Sequence, residues 1–566
     1  MSSCPQQPAH PPEAFINVLG VVYLRQRTSD GGDLYLTRFG LEHSLQLQVE
    51  NWCDPAWFTA KRQRLQGTST VFRVPTREVD GRSLDLVVKN CRVGEDVPLD
   101  THTLQAFINT EFNSPWEEFA LVMELREGQH GPVDLRIATQ EPLAIYVPPE
   151  RMQEWQTGRS EDRMQRIQRR HPGMELDILK QYKLIYAWIP GRNVVETLGD
   201  LGAPTEVAEE LPWRLNERVL GDLEQKGYTV ADMKPVHIIL STEDLAKLQA
   251  VGSSAGPAVE SLVASRRYSV IDYELLLRTP EHESRVHRRR RHNYLDDLRH
   301  RFEATALPAH LAQVEVLEVP YVHGRVESTG GRLWVVGRNG RLFDYFLPER
   351  WRRTPGVNLS QLNDVQYTLT KDTVHLVWKT SMVGELPAAG GEAVRERGYN
   401  SPFEEAAISV ALAAAGIPAT HVRAIYMTGT RKLEASEDRR RFDSHAHLLT
   451  ADGTPVLWDS HNYVLIQGYF NGTDGQDADC TRPLSKPLGL ASAICAGLLG
   501  KAEAEALAEG LRRRLAAAGY DGSLLGLRDF LVSLEDERTL ARDASGQVEA
   551  RICDFKLIGR PAPARR

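Results

Sequence analysis

The sequence holds only six cysteines, and none forms a Cys-x-x-Cys pair. Cys4, Cys53, Cys91, Cys480, Cys495 and Cys553 lie scattered. That pattern indicates neither a zinc ribbon nor a disulfide framework, and it fits reduced thiols in a cytosol. Long apolar runs are missing too. The longest weakly polar stretch, Leu488 to Leu499, falls short of the roughly 20 residues that span a bilayer. Met1 to Glu13 is polar and proline-rich without a basic-then-apolar pattern, so no signal peptide is expected. Excess positive charge is absent: the net charge of −8 argues against general nucleic-acid or anionic-membrane binding. These absences predict a cytoplasmic protein with no membrane partner and no specific nucleic acid.

What remains is ordinary globular composition, 42% hydrophobic and 25% charged, so a buried core is expected. At 566 residues the chain is too long for one core and suggests about three folding units at roughly 150 residues each. Residues 1–60 read as an N-terminal extension, with 1–13 disordered. Ala14 to Leu24 and Asp33 to Gly40 read as strands. Leu65 to Val74 has strand residues around a Gly67-Thr68-Ser69 tip. Small residues there let backbone N–H groups approach phosphate oxygens. Leu84 to Asn90 is a β-branched strand with Lys89 near its end. Asn113-Ser-Pro-Trp-Glu-Glu starts a helix whose apolar face is Phe119, Val122 and Met123. Glu117 and Glu118 are both candidates to pair with Lys89, and the spacing favours Glu118. Arg151 to Arg170 reads as a charged, solvated helical insert. Tyr186 to Glu196 reads as a strand leaving through a Pro-Gly hinge into a helix, and Leu211 to Lys226 as an amphipathic helix.

The central stretch is Gly227 to Leu240, containing Asp232-x-Lys234-Pro235-x-His237 directly before Ile238-Ile-Leu240. Further on, Tyr268-Ser-Val-Ile-Asp-Tyr-Glu274 ends an apolar strand in Asp272. Together with the Lys89 strand and the Glu118 helix, these motifs resemble the protein kinase superfamily in kind and in order. The resemblance implies Asp232 as catalytic base and Lys234 as the lysine that steadies the transferred phosphoryl. It also implies Lys89, Glu118, Gly67, Thr68 and Ser69 around ATP, with Asp272 and His237 at Mg²⁺ or Mn²⁺. The sequence departs from the family where Val230-Ala231 replaces His-Arg, His237 replaces asparagine, and Tyr273-Glu274 replaces Phe-Gly. After Asp272 no Ala-Pro-Glu segment follows. A helix from Thr279 through Phe302 carries Arg285 and Arg288 to Arg291, most simply a solvated face and otherwise a site for a phosphorylated or acidic substrate.

The second half echoes the first at an offset of roughly 280 to 290 residues. Phe112-Asn-Ser-Pro-Trp-Glu-Glu returns as Tyr399-Asn-Ser-Pro-Phe-Glu-Glu, and Val88-Lys as Trp378-Lys. Ile271-Asp-Tyr-Glu-Leu returns as Cys553-Asp-Phe-Lys-Leu. Lys379, Glu405 and Asp554 are kept, but Leu524 stands in the place of Asp232 and Asp529 in that of His237. Asp443-Ser-His-Ala-His447 and Asp459-Ser-His461 hint at a metal, but alternating polar residues on a solvated strand are the simpler reading.

The expected fold class is α+β: two tandem kinase-like bilobal units, each an antiparallel-sheet N-lobe with a short, mostly helical C-lobe. Residues 61–305 are the expected kinase-like domain and 306–566 a degenerate, pseudokinase copy. The resemblance implies an atypical kinase that transfers the γ-phosphoryl of ATP to a hydroxyl of a protein or small molecule. The alternatives are a catalytically inactive tandem pseudokinase acting as a nucleotide-binding scaffold, and nucleotidyl transfer.

Overall fold

The first described residues form a hairpin. The stretch Ala14 to Leu24, read as one strand, breaks at Leu19 and Gly20, both with left-handed backbone (φ 54° and 87°). Strands Glu13–Val18 and Val21–Arg27 pair antiparallel across that turn, with Val18 opposite Val21. Two central residues at positive φ match the right-handed twist of the flanking strands. Leucine seldom adopts this conformation, so the break is not visible in composition.

The computed structural model describes residues 13–559 apart from 66–69, 96, 98–109, 158–161, 163–164, 166–175, 252–254, 353, 355, 360–364, 388–390, 433, 451, 470–485, 537 and 543–545. The chain divides into two compact units: the first holds residues 9–170 and 176–286, the second chiefly 287–566. The boundary precedes the expected 305/306. Arg290, already beyond it, pairs with Asp344 and Asp372, both in the second unit.

An eight-stranded antiparallel sheet forms the base of the first unit. Its spatial order is Glu13–Val18, Val21–Arg27, Asp33–Leu36, Pro142–Val147, Lys183–Ala187, Asp85–Asn90, Val71–Pro75, Gln63–Arg64. The residues read as an N-terminal extension therefore belong to the main sheet. Alternating side chains give the sheet two apolar faces. Tyr23, Tyr35, Val87 and Leu184 pack with Trp116 and Phe119 on one side. Leu34, Leu86, Val88 and Tyr146 pack with Trp52 on the other. The Trp116 ring sits edge-on to Tyr35 at 4.8 Å between centroids. Beyond the sheet the unit becomes mostly helical, with helices Val194–Asp200, Thr205–Gln225, Thr242–Val251 and Ala255–Ala264.

The second unit repeats the plan. Its sheet runs Leu311–Val316, Val319–Arg325, Arg332–Val336, Val422–Arg431, His461–Gly468, His375–Thr380, Val365–Leu369, Gly356–Asn358. That is the same order of corresponding strands. Its first hairpin also turns on two residues at positive φ, Leu317 (51°) and Glu318 (66°). Helices Pro115–Glu127 and Pro402–Ala414 each begin with proline behind a capping box, Ser114 with Glu117 and Ser401 with Glu404. Each box satisfies two orphan N–H groups at the helix start. The class is α+β with largely antiparallel sheets.

Other local expectations change. The arginine helix Pro280–Arg299 is not simply a solvated face. Arg290 is in ion pairs and Arg291 is buried, donating to the Thr373 carbonyl. Asp443 lies in the short helix Arg440–Ser444 rather than on a strand. The neighbouring His445 is buried against the Ser401 hydroxyl at 2.9 Å. No helix among the described residues is long and apolar enough to cross a membrane. The expected disorder of residues 1–13 falls, except for Glu13, outside the described residues, as does most of the charged insert 151–170.

Candidate functional site

Lys89 sits on the Asp85–Asn90 strand, between Val71 and Leu184 on the neighbouring strands. Its side chain is buried and meets three carboxylates. Nζ lies 2.5 Å from Asp272 Oδ1, 3.0 Å from Glu274 Oε2 and 3.8 Å from Glu118 Oε1. The predicted Lys89–Glu118 pair is present, but it is the longest of the three contacts. Burial alone would strip the charge from this lysine, and the three carboxylates override that and raise its pKa.

Glu118 reaches the cluster because the capping box fixes the start of its helix. The neighbouring Glu117 is spent on that box, bonding the Ser114 N–H. Glu118 lies one residue on, on the face packed against the sheet, and it accepts from the Tyr186 hydroxyl at 2.7 Å. Burial pushes its carboxyl up to about 7, against the pull of Lys89 and Tyr186. Asp272 is half-buried, and the Lys89 ammonium holds its carboxyl well below the usual range. Its backbone is left-handed, with φ of 67°. Burial raises the pKa of Glu274, and Lys89 opposes that shift.

Asp232 and Lys234 lie between strand Tyr228–Val230 and the turn Pro235–His237. Lys234 Nζ is 2.9 Å from Asp232 Oδ2. His237 ends the turn, with Nε2 at 3.7 Å from Asp272 Oδ2. Burial lowers its pKa and favours the neutral ring. Its Nδ1 is buried with no partner. The Ile271 N–H bonds the His237 carbonyl at 3.0 Å and ties this turn to the segment that carries Asp272. Lys89, Glu118, Asp272 and His237 thus form one connected group, and Asp232 and Lys234 lie just before the His237 turn. Gly67, Thr68 and Ser69 lie outside the described residues.

Four contributors were not singled out from the sequence for this site. Glu274, seen only as a replaced glycine, is a direct partner of Lys89. Arg92 donates to Glu274 at 3.2 Å. Tyr186 bonds Glu118. Asn113 donates to the carbonyls of Tyr273 at 3.2 Å and Leu276 at 2.9 Å, pinning the segment after Asp272 to the Glu118 helix. The repeat carried a signal for Asn113: Asn400 makes the same two bonds to Phe555 and Ile558.

The second unit assembles the matching group. Lys379 Nζ lies 2.5 Å from Asp554 Oδ1 and 3.3 Å from Glu405 Oε2. The turn Leu527–Asp529 bonds the segment that carries Asp554 through the Cys553 N–H at 2.9 Å. This places Asp529 where the first unit has His237, and half-buried Leu524 where it has Asp232. Burial, then the Asp554 charge, pushes Asp529 up to about 6.

Mg²⁺ binds through one or two carboxylates together with substrate phosphates. In the first unit Asp272 Oδ2 and the neutral His237 imidazole, 3.7 Å apart, are the groups that could hold such an ion. That nitrogen donor suits Mn²⁺ better than Mg²⁺. No group of three or more His, Cys, Asp or Glu arranged to hold a metal occurs among the described residues. No known family model matches the chain, and no curated protein matches it either.

Proposed function

We propose that the first unit is a kinase-like phosphotransferase that moves the γ-phosphoryl of ATP to a hydroxyl of a protein or small molecule. The observation that carries this reading is the convergence on Lys89 of Asp272 and Glu118, drawn from distant strand, loop and helix positions. Phosphoryl transfer has a loose, charge-rich transition state, so the protein mainly positions groups and neutralises charge. Lys89 grips the nucleotide phosphates, and Glu118 keeps it oriented. Asp272 and His237 hold the divalent cation, which neutralises phosphate charge when bound. Asp232 accepts the acceptor's proton, and Lys234 steadies the transferred group. In this reading each unit is a bilobal kinase-like domain, and the second, with Leu524 in the base position, is a pseudokinase.

One observation favours a second reading. Glu274 lies 3.0 Å from Lys89 and competes with phosphate for its ammonium. A tandem pseudokinase scaffold that binds nucleotide without turnover accounts for that carboxylate equally. Incubation with γ-labelled and α-labelled ATP separates the readings. Label from γ alone, lost in Asp232→Ala, is the expected result. Label from α points to nucleotidyl transfer, and label from neither supports the scaffold.

A further inference from the structure

The two units differ in charge beside their shared aspartate: besides Asp529 in the place of His237, the residue two after the aspartate changes sign. In the first, Glu274 turns to Lys89 and Arg92. In the second, the equivalent residue is Lys556, and Met382 stands in the place of Arg92. Lys556 turns onto the aspartate itself, with Nζ at 2.7 Å from Asp554 Oδ2. Lys379 and the Lys556 N–H hold the other oxygen, Oδ1, at 2.5 Å and 3.1 Å. Both oxygens of Asp554 are therefore taken by donors of this chain. In the first unit no lysine sits on Asp272 Oδ2, which faces the His237 imidazole at 3.7 Å.

As this cluster is arranged, Lys556 occupies the Asp554 oxygen that a divalent cation would take, although Asp529 adds a carboxylate beside it. Binding there requires Lys556 to leave, and two cations at one carboxylate oxygen repel. An ammonium is itself a compact point charge with three donors, one of which goes to Asp554. Lys556 and Lys379 together place two positive charges on the aspartate that in the first unit is paired with a single lysine. Glu405 Oε1 is buried beside this cluster with no partner, an acceptor oxygen that the folded chain does not satisfy.

We propose that the second unit binds a nucleoside triphosphate without a divalent cation, with the Lys556 ammonium in the cation's place. This rests on the kinase-like reading of the repeat. It adds that the two sites differ in metal requirement: the first needs a divalent ion and the second does not.

Equilibrium dialysis of the full chain with labelled ATP tests it. In EDTA the expected result is one equivalent of ATP bound per chain. That binding persists in Lys89→Met and weakens at least tenfold in Lys379→Met. In Lys556→Gln the expected result is weak binding in EDTA, restored by added Mg²⁺. This second variant keeps Lys379 and the Glu405 pair intact, so it remains informative if Lys379→Met fails to fold. ATP binding in EDTA that Lys89→Met abolishes and Lys379→Met spares overturns the inference. So does binding that appears only with Mg²⁺ or Mn²⁺, which leaves the proposed function of the first unit standing. No nucleotide binding under any condition overturns both.

Discussion

Replacing Lys89 by methionine isolates the charge arrangement at the centre of the first unit. The substitution keeps much of the side-chain volume and removes the one cation shared by Asp272, Glu274 and Glu118. Arg92 still faces Glu274, and Tyr186 still faces Glu118. Asp272 loses its closest partner, leaving a half-buried carboxylate beside a neutral imidazole. Removing one partner of a buried ion pair costs about 3–5 kcal/mol, so a loss in that range is expected near pH 8. The sign of the pH dependence follows from linkage. In the wild type Asp272 is held below its unfolded value, so its contribution is present above that value and lost only in strong acid. In the variant that contribution is gone, and the orphaned carboxyls are pushed up and take protons in the folded state. The deficit against wild type should therefore shrink from pH 8 to pH 5. Urea unfolding followed by circular dichroism at each pH measures it. Adding Glu274→Gln should recover part of the loss. Lys379→Met should cost less, because Lys556 stays on Asp554. A loss under about 1 kcal/mol at pH 8, well short of that expected for a broken buried pair, refutes the argument, as does a deficit that does not change with pH.

Further outcomes follow from the same geometry. Asp232→Asn should lower phosphoryl transfer by roughly 10²–10⁴-fold, the usual contribution of a general base, with the melting curve unchanged; single-turnover assays read it. Glu118 titrates near 7 against an ordinary value of 4.5. Its folded form keeps a proton across that window, so its contribution to stability falls as pH rises through it, while its grip on Lys89 strengthens. ATP affinity of the first unit should accordingly rise with an inflection near pH 7 that is absent in Glu118→Gln. Glu318, at φ 66°, occupies the turn position that Gly20 holds in the first unit. Glu318→Gly should stabilise the second unit by about 1 kcal/mol, the scale of the left-handed penalty, in thermal melts. At equal concentration Mn²⁺ should support transfer better than Mg²⁺, and His237→Asn should reverse that preference.

The features visible in the sequence were those set by local chemistry. The Glu118 helix was marked by Ser114 and Pro115, and its capping box is what fixes the frame that separates Glu117 from Glu118. The repeat could be read because Lys89, Glu118 and Asp272 recur in order, and the backbone repeats with them, down to the matched bonds of Asn113 and Asn400. What could not be read depended on tertiary contacts. The Leu19-Gly20 turn carries only one turn residue, and Leu317-Glu318 carries none. The first strands could not be assigned to the main sheet because Leu34 and Trp52 look apolar wherever they pack. Glu274 looked like a lost glycine, since only the folded chain brings it to a lysine so distant in sequence.

Lysine-directed labelling of the intact chain with an acyl-phosphate derivative of ATP, read by peptide mapping, addresses the central claim most directly. The account predicts acylation of Lys89 that excess ATP and a divalent cation suppress. Labelling that spares Lys89, or that ATP does not suppress, contradicts it.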